Sequence, residues 1–269
     1  MPHAAGLYYE WHGPEDGEVL ILSAGLGGSG AYWLPNLEVF AARYRVLLYD
    51  HRGTGRSDRT LPAAVSIEDM AADLLGLMDA LDVGRAHILG HALGGMIGLA
   101  LARSAPDRVD RLVVVNGWAV LDPYTARCFD TRLALLRGSG AEAYLRAQPI
   151  FLFPSDWISA HSDRLDAEAV EHLAHFPGNA TIEKRIAAVR AWNPGKTLRA
   201  IDAPVLVLAT ADDALVPPHC ARELCALLSN ATHRLQQGGG HASNITEPPD
   251  FYDRVLPWLA GETTIEEQD

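Results

Sequence analysis

The sequence predicts an α/β protein whose mostly parallel central sheet carries helices on both faces and a helical lid insertion. The first observation is that short runs of leucine and β-branched residues alternate with longer segments of helical periodicity up to residue 117, and again from residue 200. Strands that are covered on both faces by helices have this composition. The second observation is that residues 118–199 contain no such run. A helical block between two strands of one sheet is typical of a lid over the carboxyl edge of the sheet, where ligands bind.

The individual elements follow in chain order from these patterns. Short apolar runs predict strands at residues 19–22, 45–49, 86–89, 112–115, 204–209 and 233–235, and helices are predicted at 66–81, 93–103, 219–228 and 251–259. Ser66 can cap the first of these helices and Asp69 favours its first turn, because the free N–H groups there attract side-chain oxygens. We therefore expect an α/β core over residues 1–117 and 200–261, a lid over 118–199 and an acidic tail over 262–269.

Composition narrows the class of function. The chain has 269 residues, 48% of them hydrophobic, and 22 basic against 34 acidic residues give a net charge of −12. That charge opposes binding to nucleic acid and to anionic membranes. The chain shows no signal-peptide pattern and no apolar run long enough to cross a bilayer, and its three cysteines are too scattered for a disulfide framework or a zinc site. We expect a cytoplasmic protein with a small-molecule substrate, without cofactor or metal. The oligomeric state is left open, with a homodimer as one option.

The segment Gly90-His91-Ala92-Leu93-Gly94 directly follows a predicted strand. A nucleophile elbow has the form Gly-x-Ser-x-Gly, with the serine on a strained turn between a strand and a helix and the glycines making room for the crossing chain. Only the nucleophile departs from that form, because Ala92 stands at its position. Ordinary ester hydrolysis through an acyl-enzyme is therefore excluded at this turn.

Two further segments supply the other members of a hydrolytic triad in the expected chain order of nucleophile, acid and base. Asp213 follows the predicted strand 204–209 and is the preferred acid, with Asp212 as the second choice or as a cap of the turn. His241 lies in a glycine-rich turn after the last predicted strand and is the expected base. The backbone N–H groups of Leu26 and Leu93 are expected to form the oxyanion hole, because they follow an early strand and the nucleophile position.

Other motifs have weaker support. The glycines of residues 25–30 match a dinucleotide-binding string, but neither a ribose-binding acid nor the Gly-Lys-Ser/Thr ending of a phosphate loop accompanies them. His161, His172 and His175 lack a clear further metal ligand, so solvated or capping roles are preferred for them. A small anionic substrate needs a local cation in a protein of this charge, and Arg52 is the candidate.

At the elbow, at residues 25–30 and at the turns that contain Asp213 and His241, the chain resembles the α/β-hydrolase superfamily. The turn at residues 50–57 resembles that superfamily as well. More narrowly, it is similar to the pyrimidine utilization protein D family at residues 25–35, 90–94, 116–118, 127–129, 147–149, 174–176, 212–217 and 239–242, a match that runs through the lid. The resemblance implies the α/β-hydrolase fold and a role in bacterial uracil breakdown, downstream of ring opening. It further implies hydrolysis of carbamate or of aminoacrylate.

These observations together predict a hydrolase without a serine nucleophile. A water molecule would fill the space of the missing hydroxyl, His241 would activate it with Asp213 fixing the imidazole tautomer, and the Leu26 and Leu93 N–H groups would bind the developing oxyanion. Three alternatives stay open. They are a non-catalytic protein that binds or scavenges an intermediate of the same pathway, a serine esterase whose nucleophile was exchanged for Ala92, and a cofactor-free dioxygenase on the same fold.

Overall fold

The computed structural model describes residues 2–262, in which eight strands form one sheet. They are β1 (His3–Ala4), β2 (Leu7–His12), β3 (Val19–Ser23), β4 (Arg45–Tyr49), β5 (Ala86–His91), β6 (Val109–Val115), β7 (Val205–Thr210) and β8 (Ala231–Gln236). Their order across the sheet is β1-β2-β4-β3-β5-β6-β7-β8. The strands β3 to β8 are parallel, whereas β1 and β2 pair antiparallel at one edge. The predicted fold class is confirmed.

The helices connect these strands and cover the sheet. They are α1 (Leu34–Ala41), α2 (Ile67–Ala80), α3 (Leu93–Ser104), α4 (Pro123–Leu152), α5 (Ser155–Ala160), α6 (Ser162–Ala174), α7 (Asn179–Ala191), α8 (His219–Leu227), α9 (Ser243–Thr246) and α10 (Pro248–Leu259). Helix α4 bends sharply at Gly140, whose φ of 85° is not helical. Helices α4 to α7 lie between β6 and β7 and form the insertion that we call the lid. Among residues 2–262 no helix combines the length and the apolar character that a membrane span requires.

Two apolar layers enclose the sheet because successive side chains of a strand face opposite sides. Ile88 of β5 packs into the layer that α2, α3, α8 and the lid cover, whereas its neighbour Leu89 packs into the layer that α1 and α10 cover. The same alternation runs through β6 and β7. Helix α2 begins as the sequence predicts, since Ser66 and Asp69 form a reciprocal capping box.

The order of the strands determines where a ligand can bind. The chain runs outward from β3 to β4 and then returns to the other side of β3 with β5. In parallel sheets such a reversal opens a crevice at the carboxyl ends of the two strands. Leu26 follows β3 and Ala92 follows β5, so both candidate residues lie at this crevice.

The sequence patterns did not predict β1, β2, α1 and the four-residue α9. In β2, two tyrosines, a glutamate, a tryptophan and a histidine give neither an apolar run nor strict alternation, because the strand is only half-buried near the edge of the sheet. Helix α1 has only eight residues and starts at a proline-containing turn. The proposed division at residues 117 and 199 stays a prediction, and the acidic tail from residue 263 onward lies outside the described residues.

Candidate active site

The strand-to-helix turn has the strained geometry of a nucleophile elbow. Ala92 lies between β5 and α3 with φ of 47° and ψ of −108°. A non-glycine residue in such a conformation costs about 1–3 kcal/mol. A Cβ atom on Gly90 would lie 2.3 Å from the backbone of Gly94, and one on Gly94 would lie 2.1 Å from the Ser23 carbonyl oxygen. The two glycines are therefore required by the close approach of β3, β5 and α3, and they present the Ala92 methyl group where a serine hydroxyl usually lies.

His241 and Asp213 form a buried pair. The Nδ1 atom of His241 lies 2.7 Å from Oδ2 of Asp213, and both side chains are almost fully enclosed. The other carboxylate oxygen of Asp213 accepts the backbone N–H groups of Leu215 at 2.7 Å and Val216 at 2.9 Å. Because a carboxylate only accepts, Nδ1 of His241 carries the proton and Nε2 presents a lone pair. No residue among 2–262 hydrogen-bonds that Nε2 atom.

The neighbouring Asp212 has a different partner. Its carboxylate accepts the backbone N–H groups of Gly240 at 2.8 Å and Gly239 at 3.2 Å. It therefore shapes the glycine-rich turn that leads into His241, which agrees with the turn-capping role that the sequence left open for it. The structure places Asp213 rather than Asp212 on the imidazole.

His91 and Asn116 fasten the His241 loop to the elbow. The His241 carbonyl accepts from Nε2 of His91 and from Nδ2 of Asn116, each at 2.8 Å, and the two imidazole rings lie 4.7 Å apart between centroids. Burial, with the nearby charge of His241, lowers the pKa of His91 to about 3. His91 is therefore neutral and holds its proton on Nε2, because a carbonyl can only accept. Since His91 directly precedes Ala92, this contact brings the loop of the candidate base against the candidate nucleophile position.

The two N–H groups predicted for the oxyanion hole lie in the loop after β3 and at the start of α3. Leu93 is the first residue of α3, where N–H groups have no partner within the helix and the helix dipole favours negative charge. The Gly25 carbonyl accepts from the Gly28 N–H at 3.1 Å and from Nη2 of Arg185 at 3.4 Å. The peptide bond between Gly25 and Leu26 is trans, so the Leu26 N–H points away from these donors.

A buried arginine of the lid holds this loop. Arg185 of α7 is fully buried and donates from Nε to the Leu26 carbonyl at 2.8 Å and from Nη2 to Nδ1 of His51 at 2.9 Å. Burial lowers the pKa of Arg185 to about 10, and burial together with the Arg185 charge lowers the pKa of His51 well below its ordinary value. His51 is neutral and can accept from the guanidinium. This role could not be predicted from the sequence, because nothing in the helical pattern of the lid indicates that Arg185 is buried.

The expectation for Arg52 is wrong. Its Nε atom lies 3.0 Å from each carboxylate oxygen of Asp73, its Nη2 atom lies 2.8 Å from one of them, and Asp58 adds a further ion pair. Asp73 thus neutralises the guanidinium, which leaves no charge for a substrate carboxylate.

One group of potential metal ligands lies outside the predicted triad. Within the described part of the chain, Asp122, His219 and Cys220 have ligand atoms within 4.8 Å of one another. His219 is already bonded to Asp122 at 3.0 Å, and burial raises the pKa of the Cys220 thiol to about 12, which opposes the thiolate form. His161 donates from Nδ1 to the Trp157 carbonyl at 2.8 Å and does not belong to this group. The absence of a cofactor or metal stays a prediction.

The fold and the elbow geometry define a class of protein. A family described as alpha/beta hydrolase fold matches residues 18–248, and the chain belongs to that family. A crystal structure of the enol-lactonase from Burkholderia xenovorans LB400 superimposes with a TM-score of 0.84 at 27% sequence identity, covering 94% of this chain and 96% of that one.

Whole-chain relatives narrow the family further. A Caulobacter sp. (strain K31) protein named "Putative carbamate hydrolase RutD" is 51% identical over 259 residues, which are 96% of this chain and 97% of that protein. A Variovorax paradoxus (strain S110) protein of the same name is 48% identical over 255 residues, covering 94% and 96%. The resemblance to the pyrimidine utilization protein D (RutD) family is confirmed, and the chain is a member of it.

Proposed function

We propose that this protein is a hydrolase that breaks the C–N bond of a small product of pyrimidine breakdown, carbamate or aminoacrylate, without a covalent intermediate. The observation that carries the proposal is that a buried, correctly oriented His241–Asp213 pair lies against an elbow that keeps its strained conformation although Ala92 has no hydroxyl. The names of the relatives support the carbamate assignment.

For carbamate, the essential event is protonation of the nitrogen. His241 in its protonated form transfers the Nε2 proton to the substrate nitrogen, and Asp213 stabilises the imidazolium beforehand. The C–N bond then breaks with its electron pair on nitrogen, so ammonia leaves and carbon dioxide remains. The N–H groups of Leu26 and Leu93 hold one carboxylate oxygen while its charge is redistributed.

For aminoacrylate, the reacting form is its imine tautomer. Neutral His241 takes a proton from a water molecule placed beside the Ala92 methyl group while the water oxygen attacks the imine carbon. The protonated imidazole gives this proton to the nitrogen and then relays the hydroxyl proton to the same nitrogen, so that ammonia leaves as the C–N bond breaks and the C=O bond of an aldehyde forms. Both routes need Asp213 at Nδ1, where it stabilises the imidazolium in the first route and keeps the Nδ1–H tautomer of His241 in the second.

A comparison of decay rates tests the proposal against a binding or scavenging role. Freshly dissolved carbamate is followed by stopped flow with a pH indicator, and freshly generated aminoacrylate by ammonia release. We expect both reactions to exceed the spontaneous rate with the unchanged protein and to return to it with His241→Gln. His172→Gln, at an exposed histidine of α6, is the matched control and should keep full activity.

Equal rates for the unchanged protein and folded His241→Gln would overturn the hydrolase proposal. In that case a protein that merely sequesters its ligand would be the better description.

A further inference from the structure

A second buried arginine of the lid has no counter-ion among residues 2–262. Arg132 of α4 is only 4% exposed. Its Nη2 group donates to the Tyr144 hydroxyl at 3.0 Å and to Oε1 of Gln148 at 2.7 Å, and both acceptors are neutral. The Nε atom is buried without a partner, and Nη1 forms no hydrogen bond to residues 2–262. Three of the five guanidinium N–H groups are therefore free.

The surroundings of this guanidinium are aromatic. Its central carbon lies 5.4 Å from the ring centroid of Phe129, 5.5 Å from that of Tyr144 and 5.7 Å from that of Phe151. Ring faces attract a cation by about 0.5–2 kcal/mol each, but none of the three rings carries the negative charge that would neutralise a buried guanidinium. The rings exclude water and leave the charge largely uncompensated.

The position of Arg132 relates it to the candidate active site. One helical turn earlier, the Cys128 sulfur lies 3.8 Å from the carbonyl of Ala214, the residue after Asp213. Burial raises the pKa of Cys128, and the charges of Arg132 and Asp213 shift that pKa in opposite directions. Residues four positions apart lie on the same face of a helix, so Arg132 lies on the side of α4 that faces the Asp213 loop.

The other half of α4 contacts the second loop of the site. Because the chain bends at Gly140, the half that contains Tyr144, Gln148 and Phe151 folds back along Arg132. At the end of this half, the Leu152 carbonyl accepts the N–H of Ala242 at 3.0 Å. The guanidinium is held between two helix segments that rest on the Asp213 loop and on the His241 loop.

We propose that Arg132 is the anion-recognition residue of the substrate pocket and binds the carboxylate of a short-chain substrate, an inference that rests on the proposed function. The free N–H groups of a guanidinium are suited to a carboxylate, and a desolvated pair of this kind is strong. Arg185 is occupied by the oxyanion loop and Arg52 by Asp73. In a protein of net charge −12, Arg132 supplies the local cation that an anionic substrate needs.

The test uses stable probes and three variants. Acrylate has the three-carbon carboxylate frame of aminoacrylate, bicarbonate has the frame of carbamate, and acrylamide is a neutral isostere of acrylate. Their binding is measured by calorimetry with the unchanged protein, with Arg132→Met and Arg132→Gln, and with Arg137→Gln. Arg137 lies on the same helix but is exposed and paired with Glu183, so it is the matched control.

We expect the unchanged protein and Arg137→Gln to bind acrylate or bicarbonate and to bind acrylamide at least tenfold more weakly. Whichever carboxylate binds more tightly identifies which substrate frame the pocket fits. Both Arg132 variants should weaken carboxylate binding at least tenfold and raise the KM for ammonia release by a similar factor. Without ligand, the melting temperature of Arg132→Met should equal or exceed that of the unchanged protein, because an unpaired buried charge has been removed; a role in lid stability alone would lower it.

Equal carboxylate affinity in folded Arg132→Met and in the unchanged protein would overturn the inference, as would equal binding of acrylamide and acrylate. Failure of the anion site and failure of the proposed function give different results. Arg132-dependent carboxylate binding without accelerated decay of carbamate or aminoacrylate would support the anion site and contradict the hydrolase. Accelerated decay with an unchanged KM in Arg132→Met would support the hydrolase and contradict the anion site.

Discussion

Exchange of Asp213 for asparagine tests whether His241 acts as an acid–base group. One carboxylate oxygen accepts the N–H groups of Leu215 at 2.7 Å and Val216 at 2.9 Å, and the other lies 2.7 Å from Nδ1 of His241. In Asp213→Asn the amide oxygen keeps the two backbone bonds, because an NH2 group at that place would face two donors. The asparagine NH2 group is then turned toward His241.

That arrangement reverses the tautomer of His241. The imidazole must accept at Nδ1 and carry its proton on Nε2, so neutral His241 can no longer take a proton from water at Nε2. The corresponding exchange in a serine-protease triad lowers kcat by about 10⁴-fold. We expect the rate above background to fall by about 10³–10⁴-fold here, or about 4–5.5 kcal/mol of activation free energy. A loss of that size brings the reaction close to its spontaneous rate.

The assay is the decay of carbamate and aminoacrylate, combined with nitrogen NMR of the imidazole to identify the protonated ring atom. Asp212→Asn is the control, because Asp212 holds the backbone N–H groups of Gly239 and Gly240 and not the imidazole. It should keep the Nδ1–H tautomer and lose less than about tenfold in rate, as expected for one weakened hydrogen bond. An Asp213→Asn protein with the reversed tautomer and a rate within tenfold of the parent would refute the reasoning.

Three further predictions concern the elbow and its surroundings. Ala92→Ser should hydrolyse p-nitrophenyl acetate about 10²-fold faster than the parent, and the gain should vanish in the double variant with His241→Gln; absorbance of nitrophenolate measures both, and a folded variant without the gain would show that the triad geometry is not assembled. Gly94→Ala should lose about 3 kcal/mol or more of unfolding free energy in urea, because its Cβ would lie 2.1 Å from a backbone oxygen of β3. Gly84→Ala, whose Cβ meets nothing within 4 Å, should lose about 1 kcal/mol or less; equal losses would contradict the steric argument. His91 has a pKa of about 3 when folded against an ordinary value of 6.5, so the unfolded chain takes up the proton first. Stability should therefore fall as the pH drops from 6.5 toward 3, by up to about 1.4 kcal/mol per pH unit from this residue. When the free energy of unfolding is measured with urea at several pH values, it should depend less on pH in His91→Gln than in the parent.

Much of the fold follows from the sequence because the central strands are buried on both faces. Such strands need continuous apolar runs, and the runs of β3 to β7 stand out from the amphipathic helices between them. The same reasoning fails at the edge of the sheet. In β2 the half-buried side chains of Tyr9, Glu10 and His12 satisfy no simple pattern, so only the pairing with β4 makes this segment a strand.

The candidate site was predictable in the core and not in the lid, for a related reason. Ala92, Asp213 and His241 each follow a strand of one sheet, and the carboxyl ends of parallel strands share an edge, so chain order alone brings these residues together. The lid has no such register. Burial of Arg132 and Arg185 depends on how α4 and α7 pack. A helical pattern does not show which arginines become buried away from acidic side chains.

Two features that lower the stability of the folded protein distinguish a reaction at the elbow from simple ligand binding. An uncompensated guanidinium at Arg132 would be stabilised by any bound carboxylate, so a scavenger could use it as well as an enzyme. The positive φ of Ala92 gains nothing from such a contact, yet it costs about 1–3 kcal/mol in a protein whose total stability is about 5–15 kcal/mol. That conformation turns the end of β5 toward His241 and presents the first N–H group of α3 to the same space. This N–H group and the His241 imidazole serve only a bound molecule whose reacting atom lies between them. Because the strain is retained although no nucleophile is present, it favours a reaction over sequestration.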